Sequence, residues 1–248
     1  MNHNNLISFT KELEVIFQDD YLVAINKPHG LLVHRTRLSD ERNFFALQML
    51  RDQLQKYVFP VHRLDRKTSG ILLFALDQDI NKKMQLKFSR GEVNKKYLAI
   101  VRGYCEDEGI IDHPVRKENG KPAAAVTMYK TIEKVEIDIP RGPHKTSRYS
   151  LVEVIPKTGR MHQIRKHFAH INHPIIGDRP HGCNKQNKLF KEKFGLMTMM
   201  LHACELDFLH PVSGEQTILP ASLHSEFKRM IKTLRLCIPE ISEKYTYV

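Results

Sequence analysis

The sequence predicts an α+β fold, with a mainly antiparallel mixed sheet, flanking helices and a central basic cleft. Three observations support this prediction. Strand-type segments outnumber helix-type segments along the chain. The helices are interspersed without the regular strand–helix–strand rhythm that a parallel sheet requires. Basic side chains are concentrated in short segments that directly precede predicted strands and a predicted helix.

The chain begins with two short predicted strands, at 13–17 and 21–26, separated by an Asp-Asp pair that is typical of a turn. In 41–54, apolar residues recur at helical spacing, and Ser39 or Asp40 is a suitable N-cap. These residues therefore predict a hairpin followed by a helix.

The centre of the chain continues with a buried strand and an amphipathic helix. The apolar run at 70–76 is uninterrupted, which indicates a strand buried on both faces. Residues 79–88 have an amphipathic pattern that ends near Gly91, and glycine is the usual residue after a helix C-terminus.

The second half is again rich in strands. Strands are predicted at 124–129, 132–137, 148–155 and 200–208, with a hairpin turn at Ser213-Gly214, and helices at 160–171 and 222–236. The segment 140–146, rich in proline, glycine and basic residues, indicates a mobile loop rather than a linker. We therefore predict a single domain over 1–248, with its core at about 13–222.

Composition points to a globular protein with an anionic partner. Apolar residues make up 41% of the chain, which is enough for a sizeable core and excludes wholesale disorder. Lysine and arginine total 39 against 28 acidic residues, a net charge of +11. Such an excess favours a nucleic acid partner. Scattered surface charge, or an enzyme of small anions, is also compatible with it.

The cysteines and apolar runs indicate a cytoplasmic protein. The four cysteines, at 105, 183, 204 and 237, include no C-x-x-C pair, and the N-terminus has no signal-peptide pattern. The longest apolar runs have the length of a strand and are too short to span a bilayer. We therefore expect reduced thiols, a cytoplasmic location and no membrane association.

The strongest local signal lies at 61–70, where Asp65 stands among four cationic or potentially cationic residues just before the buried strand. Positive neighbours favour the ionised carboxylate. A carboxylate at the mouth of a strand can act as a base, a nucleophile or a metal ligand. Alternatively, Asp65 only balances charge in a solvated basic loop.

A second segment contains an aromatic hydroxyl. Two lysines lead into the strand predicted at 95–104, in which Tyr97 shares one face with Ala99 and Val101, and the residues between them face the other side. Tyrosine can stack on a nucleobase and take part in proton transfer. The alternative is a core tyrosine with a satisfied hydroxyl.

A third segment, 158–167, opens a predicted helix with Arg160, His162, Arg165 and Lys166. These side chains can contact phosphates or base edges, and the N–H groups at a helix N-terminus favour anions. A basic amphipathic helix with one solvated face is the alternative.

Motifs for bound cofactors are absent from the sequence. It contains neither a phosphate-binding G-x-x-x-x-G-K-[ST] loop nor G-x-G-x-x-G, and it lacks the G-x-S-x-G of serine hydrolases. A possible zinc set of His181, Cys183, His202 and Cys204 lacks the tight cysteine pairs that structural zinc sites usually show, and the other clustered histidines include no H-E-x-x-H. We therefore expect no cofactor and no metal.

Three segments together resemble the signature segments of the RluA-type pseudouridine synthases, in the same order. They are HRLDRKTSG (62–70), KKYLAIV (95–101) and TGRMHQIR (158–165). VAINKPHGLLVH (23–34), HPIIGD (173–178) and LHACELDFLHP (201–211) are also similar to that family. The pattern most resembles a tRNA-modifying subgroup of single-domain members without a separate S4-type RNA-binding domain. The implied substrate is the uridine at tRNA position 65.

The resemblance assigns roles to individual residues. It implies that Asp65 is the catalytic carboxylate, that Arg165 pairs with it, and that Tyr97 packs against the target base. The implied contacts to the substrate or to RNA are His62, Arg63, Arg160, His162, Ile164 and Lys166. The reaction needs no cofactor, and the target uridine must leave its stack.

Other functions remain open from the sequence alone. A synthase of the same family acting on ribosomal RNA, a non-catalytic RNA-binding protein that keeps the fold, and a zinc-dependent nucleic-acid enzyme are each compatible with part of the pattern. We expect RNA as the partner, tRNA by resemblance, and no obligatory protein partner.

Overall fold

The computed structural model describes residues 12–34, 44–140 and 143–236. Within these residues a ten-stranded sheet forms the centre of the molecule. The strands of the chain are β1 (Val15–Gln18), β2 (Leu22–Lys27), β3 (Phe59–Pro60), β4 (Ser69–Ala75), β5 (Asn94–Arg102), β6 (Glu108–Asp112), β7 (Val115–Arg116), β8 (Pro122–Ala123), β9 (Val126–Ile137), β10 (Ser147–Pro156), β11 (Leu201–Leu209) and β12 (Gln216–Pro220). The helices are α1 (Ala46–Leu54), α2 (Gln78–Arg90), α3 (Gln163–His170), α4 (Asn184–Phe194) and α5 (Ser225–Leu234).

The sheet is mixed, with antiparallel pairs throughout except at one place. The strand order is β1-β2-β4-β11-β5-β10-β9-β6, with β12 beside β11 and β3 beside β4. The pair β4–β11 is parallel, and the other pairs of this sheet are antiparallel. Strands β7 and β8 form a separate hairpin. The predicted α+β class with a mainly antiparallel mixed sheet is confirmed.

Both faces of the sheet are covered at its central strands β4 and β5, and for β4 the sequence pattern predicts this burial. All seven residues of β4 are buried. In β5, Leu98 packs with Phe190 of α4 and Phe227 of α5 on one face. Ala99 packs with Phe168 of α3 on the opposite face. The alternation in β5 therefore separates two apolar layers, and the layer under α3 contains the residues of the candidate site.

Several boundaries differ from the predicted ones. Helix α1 begins at Ala46, after Phe45 as N-cap, so the start predicted at 41 is wrong. Ser39 and Asp40 lie outside the described residues, as do positions 141 and 142 of the predicted loop. The strands predicted at 124–129 and 132–137 are one continuous strand, β9, because the small shift of its register against β10 leaves the pairing intact.

Other elements are absent from the sequence-based prediction. The strands β3, β6, β7 and β8 have only two to five residues, which is too short for a periodic signal. Helix α4 was missed because its buried residues are few and include Gln186. No helix in the described ranges is both long enough and apolar enough to cross a lipid bilayer. The single domain over 1–248 stays a prediction.

Candidate active site

Asp65 lies in a tight turn between β3 and β4, and backbone hydrogen bonds fix this turn on both sides. The Asp65 carbonyl accepts the N–H of Thr68 at 3.0 Å. The neighbouring Arg66 carbonyl accepts the N–H of Gly30 at 2.8 Å, and the Arg66 Nε donates to the Gly30 carbonyl at 2.9 Å. The turn is therefore held against the loop that follows β2.

The start of β4 is also locked to β11. Gly70 has φ +105°, and a Cβ added there would lie 2.0 Å from the Ala203 carbonyl oxygen. Only glycine fits such a close approach in this backbone conformation. Ser69 Oγ lies 2.9 Å from Nδ1 of the buried His202. The turn that carries Asp65 is thus attached to the centre of the sheet.

Arg165 of α3 joins two carboxylates. Its Nη1 donates to Asp65 Oδ2 at 2.9 Å. Its Nε and Nη2 donate to Asp178 Oδ2 and Oδ1, both at 2.8 Å. Asp65 and Arg165 therefore meet as the sequence predicts, and Asp178 supplies the two-point pairing that fixes the orientation of the guanidinium.

Burial and the neighbouring carboxylates shift the pKa of Arg165 in opposite directions. The residue is only 4% exposed. Burial lowers the pKa of its guanidinium, but the hydrogen bonds to Asp178 and Asp65 outweigh this effect and raise that pKa overall. The charged form is stable because every side of the guanidinium meets a carboxylate.

His162 approaches the same carboxylate from the other side. It precedes α3 with φ +55°, in the left-handed region that non-glycine residues rarely adopt. Its Nε2 lies 3.8 Å from Asp65 Oδ2, and its Nδ1 lies 2.9 Å from Nε2 of His181. This conformation also explains why α3 begins at Gln163 rather than at the predicted position 160.

An apolar wall stands beside these polar groups. Tyr97, Ile164 and Leu201 belong to one apolar cluster under α3. Burial raises the pKa of the Tyr97 phenol, and the Asp65 carboxylate adds to this shift. The phenol is therefore protonated at neutral pH, with its ring available for a planar ligand.

These residues line one cavity of about 710 Å³, large enough for a nucleotide. Eight of the nine site residues predicted from the sequence are on its walls: His62, Arg63, Asp65, Tyr97, Arg160, His162, Ile164 and Arg165. The walls also carry Arg90, Lys95 and Lys157, while Asp65 is the sole carboxylate among the described wall residues. The predicted central basic cleft is thus present and suits a polyanion.

Two predicted RNA contacts, Lys166 and Arg160, also bind backbone carbonyls of this chain. Lys166 is not among the described wall residues, and its Nζ donates to the Arg116 carbonyl at 2.7 Å. The Arg160 Nε donates to the Ala124 carbonyl at 3.2 Å. These two bonds connect the segment before and within α3 to the β7–β8 hairpin.

His62 contacts β4 and α2. Its Nε2 accepts the N–H of Leu73 at 3.1 Å, and its ring stacks on Phe88 with a centroid separation of 4.8 Å. Burial, with a smaller effect of Lys95, lowers the pKa of His62 to about 4. The ring is therefore neutral and holds β4 against α2.

The structure adds Lys27, Asp178 and His181 to the predicted residues. The fully buried Lys27 donates from Nζ to the carbonyls of Pro28 and Leu31, both at 3.0 Å. Burial lowers its pKa to about 7, and Asp65 partly opposes this shift. Lys27 and Asp178 lie in segments that carry the family resemblance, so a signal for them exists in the sequence.

The arrangement of the described histidines and cysteines bears on the possible metal site. Among the described residues, no group of three or more His, Cys, Asp or Glu side chains has such an arrangement. Within this part of the chain, the possible zinc set of His181, Cys183, His202 and Cys204 is therefore not brought together.

Comparisons with known proteins agree with this geometry. The family model described as RNA pseudouridylate synthase matches residues 21–170. A protein named tRNA pseudouridine synthase C from Vibrio parahaemolyticus is 44% identical over 230 residues, covering 88% of this chain and 94% of that protein. One of the same name from Haemophilus influenzae is 42% identical over 230 residues, covering 88% and 96%.

A solved structure shows the same architecture. The structure named human RNA pseudouridylate synthase domain containing 4 superimposes with a TM-score of 0.72 at 28% identity, covering 92% of this chain and 95% of that one. The turn that carries Asp65 and helix α3 both lie within residues 21–170, which the family model matches.

Proposed function

The chain belongs to the RNA pseudouridylate synthase family, and from this premise we propose that its substrate is a transfer RNA and that Asp65, Tyr97 and Arg165 carry the reaction. Its activity is the isomerisation of uridine to pseudouridine in RNA. The relatives named tRNA pseudouridine synthase C support tRNA as the substrate. We further propose the uridine at tRNA position 65 as the target, and a cytoplasmic location.

The observation that carries the assignment of the site is the Asp65–Arg165 pair at 2.9 Å, in a cavity whose other charged wall residues are cations. A carboxylate is expensive to bury without a partner. Arg165 favours the ionised form of Asp65, which lies next to an apolar wall and is only 25% exposed. A binding module for RNA has no need of such a paired carboxylate.

The isomerisation breaks the bond between N1 of the base and C1′ of the ribose, turns the base, and joins C1′ to C5. The proton at C5 is lost, and N1 gains one, so no redox partner or water is consumed. Asp65 takes part in one of two ways: it attacks C1′, or it removes the C2′ proton to give a glycal. Both routes need the ionised carboxylate beside the ribose.

Other residues on the walls of the cavity hold the base, the flipped nucleotide and the RNA backbone during the reaction. Tyr97 packs against the uracil ring, and Ile164 closes the apolar side of the cavity, so that the detached base stays inside while it turns. Arg63 is exposed on the cavity wall, where its guanidinium can hold the flipped nucleotide. The basic residues Arg160 and Lys157 face the phosphates of the RNA backbone.

Incubation of the purified protein with unmodified tRNA transcripts tests the substrate. Pseudouridine is mapped by mass spectrometry after uridine-specific derivatisation. We expect modification of a transcript with uridine at position 65 and none of the matched transcript with cytidine there. Pseudouridine formation in ribosomal RNA fragments, with none in tRNA, would contradict the proposed substrate.

A further inference from the structure

His162 and His181 form a pair next to Asp65 whose use the family reaction leaves unassigned. Nδ1 of His162 and Nε2 of His181 are 2.9 Å apart, and the two rings are nearly perpendicular, at 71°. This is the geometry of an N–H on one ring aimed at the lone pair of the other. The second nitrogen of His162 faces Asp65 at 3.8 Å.

The loop that carries His181 is rigidly attached. The backbone N–H of His181 approaches Asp178 Oδ1 at 3.4 Å. The Asp178 carbonyl accepts from Asn187 Nδ2 at 2.6 Å, and Asn187 Oδ1 accepts the N–H of Gly177 at 2.9 Å. The carboxylate that orients Arg165 thus also helps to orient His181.

Gly177 adds a second restraint on this loop. It has φ +81°, and a Cβ there would lie 2.0 Å from the Thr198 carbonyl oxygen. The loop is therefore seated directly against the segment that leads into β11, and the position of the His181 ring is determined by the fold.

Both rings are neutral near pH 7. Burial lowers the pKa of His162, and the nearby Asp65 only partly opposes this effect, while Arg165 and Lys166 reinforce it. Burial likewise lowers the pKa of His181, with Asp178 opposing and Arg165 reinforcing. A neutral imidazole has one donor and one acceptor nitrogen, so the pair has two possible arrangements.

The carboxylate decides between these arrangements. If His162 donated from Nδ1, its Nε2 lone pair would face the negative Asp65 oxygen. If His181 donates instead, His162 carries its proton on Nε2 and directs an N–H towards Asp65. The second arrangement replaces a repulsive contact with an attractive one.

We propose that His181 is a positioning residue, which donates from Nε2 to Nδ1 of His162 and so makes the Nε2–H of His162 a fixed hydrogen-bond donor beside Asp65. This inference rests on the proposed role of Asp65. The separation of 3.8 Å is too long for a hydrogen bond between the two side chains. The N–H is therefore available to the substrate.

The acceptors of a uridine that lie next to C1′ are the O2 carbonyl of the base and the 2′-hydroxyl. When the bond between N1 and C1′ breaks, the departing uracil carries the bonding electrons, and part of the negative charge rests on O2. A donor fixed at this point stabilises that charge. The pair only donates hydrogen bonds; it transfers no proton.

The tautomer of His162 is measured directly by long-range ¹⁵N–¹H correlation spectroscopy of the whole protein labelled with ¹⁵N-histidine. A His162→Gln variant identifies the signals of His162 among the fourteen histidines. We expect Nε2 protonated and Nδ1 unprotonated. A protonated Nδ1 would overturn the proposal whatever the activity of the enzyme.

Kinetics on three variants complete the test. We expect His181→Phe to lower kcat about tenfold with KM little changed, and to raise the fraction of His162 that is protonated on Nδ1. His181→Gln keeps a donor near the position of Nε2 and should recover most of kcat. His170→Phe, on the exposed end of α3, is the matched control and should retain the original kcat.

The outcomes separate this inference from the proposed function. A His181→Phe variant that folds, as judged by its circular dichroism, and keeps full kcat would overturn the inference and leave the role of Asp65 intact. If His181→Phe does not fold, two results test the inference: the tautomer of His162 in the unsubstituted protein and the kcat of His181→Gln. A protonated Nδ1 of His162, or a His181→Gln variant that folds but has lost most of its kcat, would then overturn it. An active Asp65→Asn variant would overturn the proposed function, while the tautomer result would still stand.

Discussion

Arg165 donates to Asp65 across a separation of 100 positions in the chain, with 2.9 Å between Nη1 and Oδ2. The turn before β4 supplies the carboxylate and α3 supplies the guanidinium. Asp178 holds the other edge of that guanidinium at 2.8 Å. The orientation of the Asp65–Arg165 pair therefore depends on a third residue, Asp178.

Removal of the Asp178 charge should destabilise the protein strongly. Asp178→Asn leaves the buried Arg165 guanidinium with one carboxylate instead of two. We expect the free energy of unfolding to fall by about 3 kcal/mol, together with a loss of kcat as Arg165 loses its orientation. Urea unfolding monitored by circular dichroism measures the first effect.

Glu192→Gln is the matched control for this prediction. Glu192 also pairs with a cation, Lys188, but both side chains are at least 60% exposed. Loss of the Glu192–Lys188 ion pair should change the free energy of unfolding by no more than about 0.5 kcal/mol. Equal effects of the two substitutions would show that the Asp178–Arg165 pair has no special structural role.

Binding of RNA should depend steeply on salt. The net charge is +11, and the cavity walls include Lys157 and Arg160. Each phosphate contact that is removed should reduce the slope of log K against log salt by about 0.7 to 0.9. We expect this reduction in Lys157→Ala and in Arg160→Ala, measured by filter binding between low and physiological salt.

Lys188→Ala supplies the control for the salt series, because Lys188 lies on α4 and is 75% exposed. It removes the same charge from a surface outside the cavity and should leave the slope unchanged. If all three alanine variants shift the slope equally, the positive charge acts as a general field and the cavity makes no specific phosphate contacts.

Stability should fall as the pH is lowered from about 6.5 towards 4. Burial lowers the pKa of His202 and His29 to about 3, and that of His62 to about 4, from the ordinary 6.5. Below 6.5 the unfolded chain binds protons at these histidines and the folded protein does not. Each adds a slope of about 1.4 kcal/mol per pH unit across that window.

His202→Asn tests this pH dependence. Its side-chain amide can still pair with Ser69, but it no longer titrates, so the dependence of the unfolding free energy on pH should become less steep. The same substitution at the exposed His170 serves as control. An unchanged slope in His202→Asn would show that His202 is not buried as a neutral group.

Sequence patterns predicted the framework and most of the cavity. Alternation in β5 placed Tyr97 correctly, and the uninterrupted apolar run of β4 gave a strand buried on both faces. These patterns succeed because the polarity of each residue correlates with its own burial in the folded protein. The family resemblance then brought Asp65, Tyr97 and Arg165 into one prediction.

The supporting contacts were beyond the reach of such patterns. Asp178 lies in a segment that carries the family resemblance, but no periodicity predicts that it pairs with Arg165 or that His181 meets His162. The start of α3 was misplaced because His162 adopts a left-handed conformation that local propensity disfavours. Lys166 stays a predicted RNA contact: it is not among the described residues of the cavity wall, and its Nζ donates to the Arg116 carbonyl.

The role of Asp65 is tested most directly by the Asp65→Asn variant, which keeps the size and one acceptor of the side chain. Pseudouridine formation on a tRNA transcript is followed in a single turnover with excess enzyme, and binding of the same transcript is measured in parallel. We predict binding within a few-fold of the original protein and no detectable pseudouridine. Pseudouridine formation at a near-normal rate would contradict the assignment of Asp65 as the catalytic carboxylate.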